Sequence, residues 1–133
     1  MFQNIGLCIK FLFSMSFICT MDIKNITKKR IIAENATICK NIIAKSLGLM
    51  FTLKPKTLIF IFKKEKIIPL HMLFVFYPID VLFLGKNKVV VEIKESLMPF
   101  TVYTPKNKAK YIIELPQGTI KKTKTVLRDK IKF

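Results

Sequence analysis

The sequence contains no tryptophan, one histidine and three cysteines among its 133 residues. The cysteines, Cys8, Cys19 and Cys39, include no CxxC pair and match no metal-ligand spacing. This pattern excludes a disulfide scaffold and a zinc site of the usual kind. Glycine-rich phosphate loops, HExxH and Ser-His-Asp arrangements are also missing. The sequence therefore predicts no metal and no cofactor, and it favours a protein that is not an enzyme.

Acidic residues are scarce as well, since 8 Asp and Glu face 24 Lys and Arg and leave a formal net charge of +16. A field of this size favours polyanions such as nucleic acid or an anionic membrane surface. Only Arg30 and Arg128 are arginines, however, and arginine is the residue that best forms paired hydrogen bonds to phosphate. We therefore interpret the lysines mainly as a solvated surface, and nucleic acid is a partner that the sequence does not favour.

The N-terminal residues 1–20 form a doubtful leader, and residues 21–133 are predicted to form a single domain. The apolar block 11–19 is too short for a transmembrane helix. Three interpretations stay open: a mis-assigned start, a signal or anchor, and a first element of the fold. We expect a cytoplasmic monomer, with export or membrane anchoring through residues 1–20 as the alternative.

A second apolar stretch, residues 67–84, is long enough to resemble a membrane span. Pro69, Pro78 and the carboxylate of Asp80 interrupt it. Prolines and a charge within the stretch argue against a span, so no transmembrane segment is predicted within residues 21–133. Pro78 instead divides the stretch into two strand-length pieces that are rich in Phe, Val and Ile.

Most of the remaining chain has strand-like patterns separated by turn residues. Residues 38–47 carry apolar side chains at helical spacing and are predicted to form a helix. The predicted fold is mainly β, a compact antiparallel β-sandwich or barrel of about eight short strands with one packed α-helix. The predicted strands are residues 23–27, 30–33, 58–62, 70–76, 79–84, 89–94, 109–115 and 130–133.

Two carboxylates in these strands are the first candidates for a functional site. Asp80 lies in an apolar stretch, where a charge is costly to bury unless it is hydrogen-bonded or paired. Its partners are either backbone N–H groups, which give it a structural role, or the groups of a functional site. Strand alternation makes Glu114 face away from Ile113 and Leu115. Glu114 then faces either solvent or a cavity shared with Asp80, where one proton affinity rises.

Three motifs follow one another along the chain and together carry a family resemblance. They are Ala44-Lys45-Ser46-Leu47-Gly48-Leu49-Met50-Phe51, then Pro78-Ile79-Asp80 inside residues 71–84, then Glu114-Leu115-Pro116-Gln117-Gly118-Thr119. In this order they resemble the DUF192 family, also called UPF0127, over roughly residues 22–133. The resemblance implies a compact, mainly antiparallel β-fold with one packed helix. It implies no activity.

Three function classes are consistent with the sequence. We favour a module that binds a small molecule or a polymer in a cleft beside Asp80. A hydrolase that uses Asp80 with His71 or Glu114 is the first alternative, and a lysine-driven nucleic-acid binder is the second. The candidate binding residues are Asp80, His71, Glu114, Tyr77, Phe74, Phe76 and Met50.

Overall fold

A computed structural model describes residues 19–40, 49–50 and 52–133. This part of the chain forms nine strands and one short helix. The elements are β1 (Thr20–Asn25), β2 (Arg30–Cys39), β3 (Leu58–Lys66), β4 (Leu70–His71), β5 (Ile79–Leu84), β6 (Val90–Leu97), β7 (Val102–Tyr103), β8 (Ala109–Pro116), α1 (Thr119–Thr123) and β9 (Ile131–Lys132).

Seven strands form one sheet in the order β6-β5-β8-β3-β2-β1-β9. Its neighbours are antiparallel except β2 and β3, which are parallel. The sheet curls so far that its two edges meet at one end. There Val89 pairs with Lys130, and the N–H of Arg128 donates to the carbonyl of Val90 at 2.9 Å. The result is a half-barrel, which confirms the predicted mainly-β fold. Strands β4 and β7 form a separate two-stranded sheet.

Both faces of β5, the strand next to the edge strand β6, are covered, because all six of its residues are buried. Alternate side chains point to opposite faces of a strand. Ile79, Val81 and Phe83 therefore belong to one core, and Leu82 and Leu84 belong to the other. Each fully buried side chain of this size contributes roughly 1.5–3 kcal/mol through removal of apolar surface from water.

The two faces are covered by different parts of the chain. On the face of Val81, residues 67–77 and 98–106 pack over the sheet, with Met72 and Val75 fully buried. We call these two segments the cover and this side of the sheet the cover face. On the opposite side, Ile120 of α1 packs against the sheet, and we call that side the helix face.

One local prediction is wrong, and a second is contradicted at its first two residues. Residues 70–76 were predicted to be one strand, but only Leu70–His71 is a strand. The chain then turns, because the carbonyl of Met72 accepts hydrogen bonds from the N–H groups of Val75 and Phe100 at 3.2 and 2.8 Å. The helix predicted over residues 38–47 begins inside β2, which ends at Cys39, since the parallel ladder with β3 extends that strand. Residues 41–47 of that prediction lie outside the described residues.

Candidate functional site

Asp80 is buried on the helix face and is fully engaged by backbone donors. The N–H of Ser96 donates to Oδ1 at 3.0 Å, and the N–H of Ile120 donates to Oδ2 at 3.0 Å. The carboxylate therefore joins the end of β6 to the first turn of α1. Gly118 makes the turn into that helix possible, because its φ of 86° is a left-handed conformation that glycine adopts without strain.

Glu114 lies on the opposite side of the same sheet. The register pairs Asp80 with Leu115 and pairs Glu114 with Val81. On its other side Glu114 pairs with Leu58 of β3. The two carboxylates therefore face away from each other, and the structure does not bring them together in a shared cavity.

The surroundings of Glu114 are unusual for a carboxylate. Its Oε2 atom is buried, and no described group donates a hydrogen bond to it. The buried side chains Leu58 and Val81 flank it on the neighbouring strands. Burial raises the pKa of Glu114 from 4.5 to about 7, because the charged form loses its hydration. The group is thus poised to accept a hydrogen bond, or to exchange a proton, near neutral pH.

Tyr77 lies close enough to Glu114 for the two to interact electrostatically. Its phenol hydroxyl forms a short hydrogen bond with the hydroxyl of Thr52 and donates to the carbonyl of Lys54 at 3.1 Å. Burial raises the pKa of Tyr77, the Thr52 hydrogen bond lowers it, and the Glu114 carboxylate raises it again. The hydroxyl of Thr52 is itself within 2.7 Å of the carbonyl of Leu49. Met50, the residue after Leu49, is half-buried.

A third carboxylate, Glu92, shows what a satisfied acid looks like on the cover face. It pairs with Phe83 in the register. It accepts hydrogen bonds from two residues of the cover and from Asn107, which follows it. The Tyr103 hydroxyl donates at 2.5 Å, the N–H of Lys106 at 2.9 Å, and the N–H of Asn107 at 2.9 Å. Burial alone would raise the pKa of Glu92, but these hydrogen bonds lower it overall. The hydrogen bond to Glu92, together with burial and the Glu92 charge, raises the pKa of Tyr103 to about 12.

Two of the predicted aromatic residues, Phe74 and Phe76, lie on the outer surface of the cover. Phe74 and Phe76 are exposed, and both contact Phe100 edge to face, with ring centroids 6.4 and 5.7 Å apart. Phe100 was not among the predicted site residues. Its only signal in the sequence is Pro99, which marks a turn there.

His71 is exposed on β4, where it pairs with Val102. Asp80 instead lies in the helix-face core, so the contacts found in the structure do not support a His71–Asp80 pair. Within residues 19–40, 49–50 and 52–133, no three His, Cys, Asp or Glu side chains are grouped as metal ligands would be. No helix in this part of the chain has the length and apolarity needed to span a bilayer.

The family of the chain follows from comparison with known sequences. A model of the DUF192 family, described as "Uncharacterized ACR", matches residues 21–133. The chain belongs to the DUF192 family. A UPF0127 protein of Pyrococcus furiosus is 38% identical over 111 residues, which cover 82% of this chain and 95% of that protein. A UPF0127 protein of Pyrococcus horikoshii is 40% identical over 98 residues, covering 72% and 84% respectively. The predicted resemblance is therefore confirmed.

The fold is shared with a solved structure as well. A protein of unknown function from Novosphingobium aromaticivorans superposes with a TM-score of 0.76 over 87% of this chain and 85% of that chain. The two sequences are 16% identical, so this likeness concerns the DUF192 fold alone.

Several residues of the site escaped prediction from the sequence. Thr52 follows no recognisable motif, and Ser96 and Ile120 contribute only backbone N–H groups, which any residue carries. Glu92 and Tyr103 meet because β7 packs against the sheet, a contact that no local pattern records. The Leu115-Pro116-Gln117-Gly118 turn signal did mark the place where the chain returns to Asp80.

Proposed function

We propose that this DUF192 chain is a small-ligand-binding β-module whose polar anchor is Glu114 on the cover face. The buried, unpaired Oε2 of Glu114 is the observation that supports this most strongly. Buried polar atoms in native proteins are nearly always hydrogen-bonded, and each exception calls for an explanation. Asp80 and Glu92 follow the rule. A ligand that donates a hydrogen bond would give the Oε2 atom of Glu114 the partner that it lacks.

The chemistry of this corner fits a small neutral molecule that carries hydroxyl groups. A hydroxyl donates well to Oε2, whereas a net charge of +16 disfavours a cationic ligand. The Glu114 carboxylate in turn disfavours an anion placed beside it. The half-buried ring of Tyr77 suits the apolar face of a sugar or nucleoside.

Asp80 has a supporting role in this proposal. Its two backbone hydrogen bonds fix the end of β6 and the start of α1, next to the turn that follows β8. Glu114 lies on β8, so Asp80 keeps the strand that carries the anchor in register. The ligand would contact Glu114 and Tyr77 on the cover face, and Asp80 would not touch it.

A ligand screen with matched variants tests the proposal. We expect at least one member of a panel of methyl glycosides, polyols and nucleosides to raise the melting temperature of the full chain and to bind in calorimetry. Glu114→Leu should abolish both effects while the protein stays folded by circular dichroism. Glu95→Gln, which changes an exposed carboxylate on β6, should leave them intact. A panel without any binder, or a binder indifferent to Glu114→Leu, would refute the proposal.

A further inference from the structure

Four apolar side chains stand out on the surface of the cover. Phe76, Met98, Phe100 and Val102 are 53%, 54%, 57% and 73% exposed. Phe100 contacts Phe76, and Met98 and Val102 lie two residues before and after it. We call these four residues the apolar ridge. Soluble proteins expose single apolar side chains often, but grouped apolar side chains of this size mark interaction surfaces.

The backbone of the cover holds the ridge outward. Phe100 has φ of 57°, a left-handed conformation that is unfavourable for a bulky side chain. Its N–H nevertheless donates to the carbonyl of Met72 at 2.8 Å, and the N–H of Met72 donates to the carbonyl of Thr101 at 2.7 Å. Strained residues that the surrounding structure enforces in this way are concentrated at binding surfaces.

The distribution of acids makes the protein surface more basic than the composition suggests. Asp80, Glu92 and Asp129 are buried, and Glu114 is half-buried. Only four of the eight acids, Asp22, Glu34, Glu65 and Glu95, are exposed.

Lysines accompany the two-stranded sheet beside the ridge. Lys94 lies over the ring of Tyr103 at 5.4 Å, and Tyr103 adjoins Val102 on β7. Lys106, the last residue of the cover, is exposed, and so is Lys66, which comes directly before the first segment of the cover.

We propose that the apolar ridge docks on the surface of an anionic lipid bilayer. Phenylalanine and aliphatic side chains enter the boundary between headgroups and acyl chains, while lysines are attracted to anionic headgroups. The aliphatic residues Met98 and Val102 decide against nucleic acid, since base stacking needs aromatic faces. Phe76 and Phe100 also pack edge to face on each other at 70°, which leaves them poorly arranged as stacking platforms.

Flotation of the full chain with vesicles tests this inference. We expect binding to phosphatidylcholine vesicles that contain phosphatidylglycerol, little binding to phosphatidylcholine alone, and a loss of binding as salt is raised. The double variant Phe76→Ser, Phe100→Asn should lower the vesicle partition coefficient by about a hundredfold, since each buried phenyl ring is worth roughly tenfold. Asparagine tolerates the left-handed backbone at position 100, so the fold should survive.

Two controls make the result decisive. Leu127→Ser removes a side chain of similar exposure from the loop after α1 and should leave vesicle binding unchanged. Val102→Thr keeps a β-branched residue in β7 and should weaken binding less than the double variant. Three results would overturn the inference: no binding of the wild type to anionic vesicles, equal binding of the double variant, or a ridge that instead mediates self-association or binding to single-stranded RNA. Glu114→Leu should bind vesicles normally, so this test is separate from that of the ligand site.

Discussion

On the helix face, Asp80 is held by two backbone donors at 3.0 Å, whereas on the cover face Glu114 leaves one buried oxygen without a partner. The two residues lie on adjacent strands and differ by one position in register. Asp80 is buried, Glu114 is half-buried with its Oε2 atom buried, and the two carboxylates differ in the supply of hydrogen-bond donors. On the helix face, a strand end and a helix start offer free N–H groups. Around Glu114 the neighbouring strands direct their N–H groups into the ladder and present only Leu58 and Val81.

Glu92 shows that a carboxylate on the cover face can be fully hydrogen-bonded. It lies on the same face as Glu114, one strand beyond β5, and its hydrogen bonds come from Tyr103, Lys106 and Asn107 of the cover and the loop that follows it. Chain segments that fold back over the sheet can therefore satisfy an acid there. That they satisfy Glu92 and not Glu114 is what suggests that Glu114 is reserved for a ligand.

The largest expected effect is on the helix face. Asp80→Ala would remove two hydrogen bonds to a charged group, from the N–H groups of Ser96 and Ile120, each worth roughly 1.5–3 kcal/mol. We expect urea denaturation to show a loss of about 4 kcal/mol in the free energy of unfolding. Glu34→Ala removes an exposed carboxylate on β2 and should change it by no more than about 0.5 kcal/mol. Equal losses in the two variants would show that Asp80 does not anchor the helix face.

Glu114→Gln should instead raise the free energy of unfolding. The pKa of Glu114 is about 7 in the folded chain against 4.5 when unperturbed, so between these values the folded state binds more protons than the unfolded state. Stability then falls as pH rises through this window. Because one pKa unit corresponds to about 1.4 kcal/mol, the glutamine variant should be more stable than wild type by about 3 kcal/mol at pH 8 and by almost nothing at pH 4.

The control for that pH dependence is Glu95→Gln, at an exposed site on the neighbouring strand β6. Its difference from wild type should not vary with pH in this window. A pH-independent effect of Glu114→Gln would show that the cover face does not destabilise the charged form of Glu114.

A smaller effect is expected at Glu92, the satisfied acid of the cover face. Tyr103→Phe removes the 2.5 Å hydrogen bond to Oε1 and leaves the donors of Lys106 and Asn107 in place. The free energy of unfolding should fall by about 1–2 kcal/mol in thermal or urea denaturation. Tyr111→Phe is the matched control, since that ring packs against Phe133, and it should cost less. A larger loss for Tyr111→Phe would remove Glu92 as the reference for Glu114.

The smallest expected effect is on Tyr77. The Glu114 carboxylate contributes to its raised pKa, after burial and against the Thr52 hydrogen bond. Glu114→Gln should therefore lower the pKa of the Tyr77 phenol, which ring-carbon chemical shifts can follow in a pH titration. Burial should still keep that pKa above 10.0. An unchanged pKa would mean that Glu114 and Tyr77 do not share one site.

The sequence anticipated the strands better than the partners of their side chains. Alternation correctly turned Glu114 away from Ile113 and Leu115, but it could not show that the far side is covered, because the cover packs there through long-range contacts. The apolar stretch around Asp80 also indicated that this carboxylate needs hydrogen-bond partners. The donors that satisfy it are 16 and 40 residues away, and they are backbone groups without a sequence signature.

Local irregularities account for the remaining errors. Strict alternation would place Val91 and Ile93 on one face of β6, but a register shift opposite Phe83 and Leu84 breaks the alternation. Val91 therefore packs with the cover-face core and Ile93 with the helix-face core. A bulge of this kind adds one residue to a strand and reverses every later side chain. Similarly, the apolar composition of residues 70–76 is typical of a strand, yet Phe74 adopts φ of 56° and turns the chain.

The most direct test of the account is an NMR titration of the Glu114 side-chain carboxyl carbon in the full chain without added ligand. A buried carboxylate with an unpaired oxygen on the cover face should titrate with a pKa of about 7. A midpoint near the unperturbed value of 4.5 would mean that water or another donor already satisfies this group. That result would contradict both the difference between the two faces and the ligand site built on it.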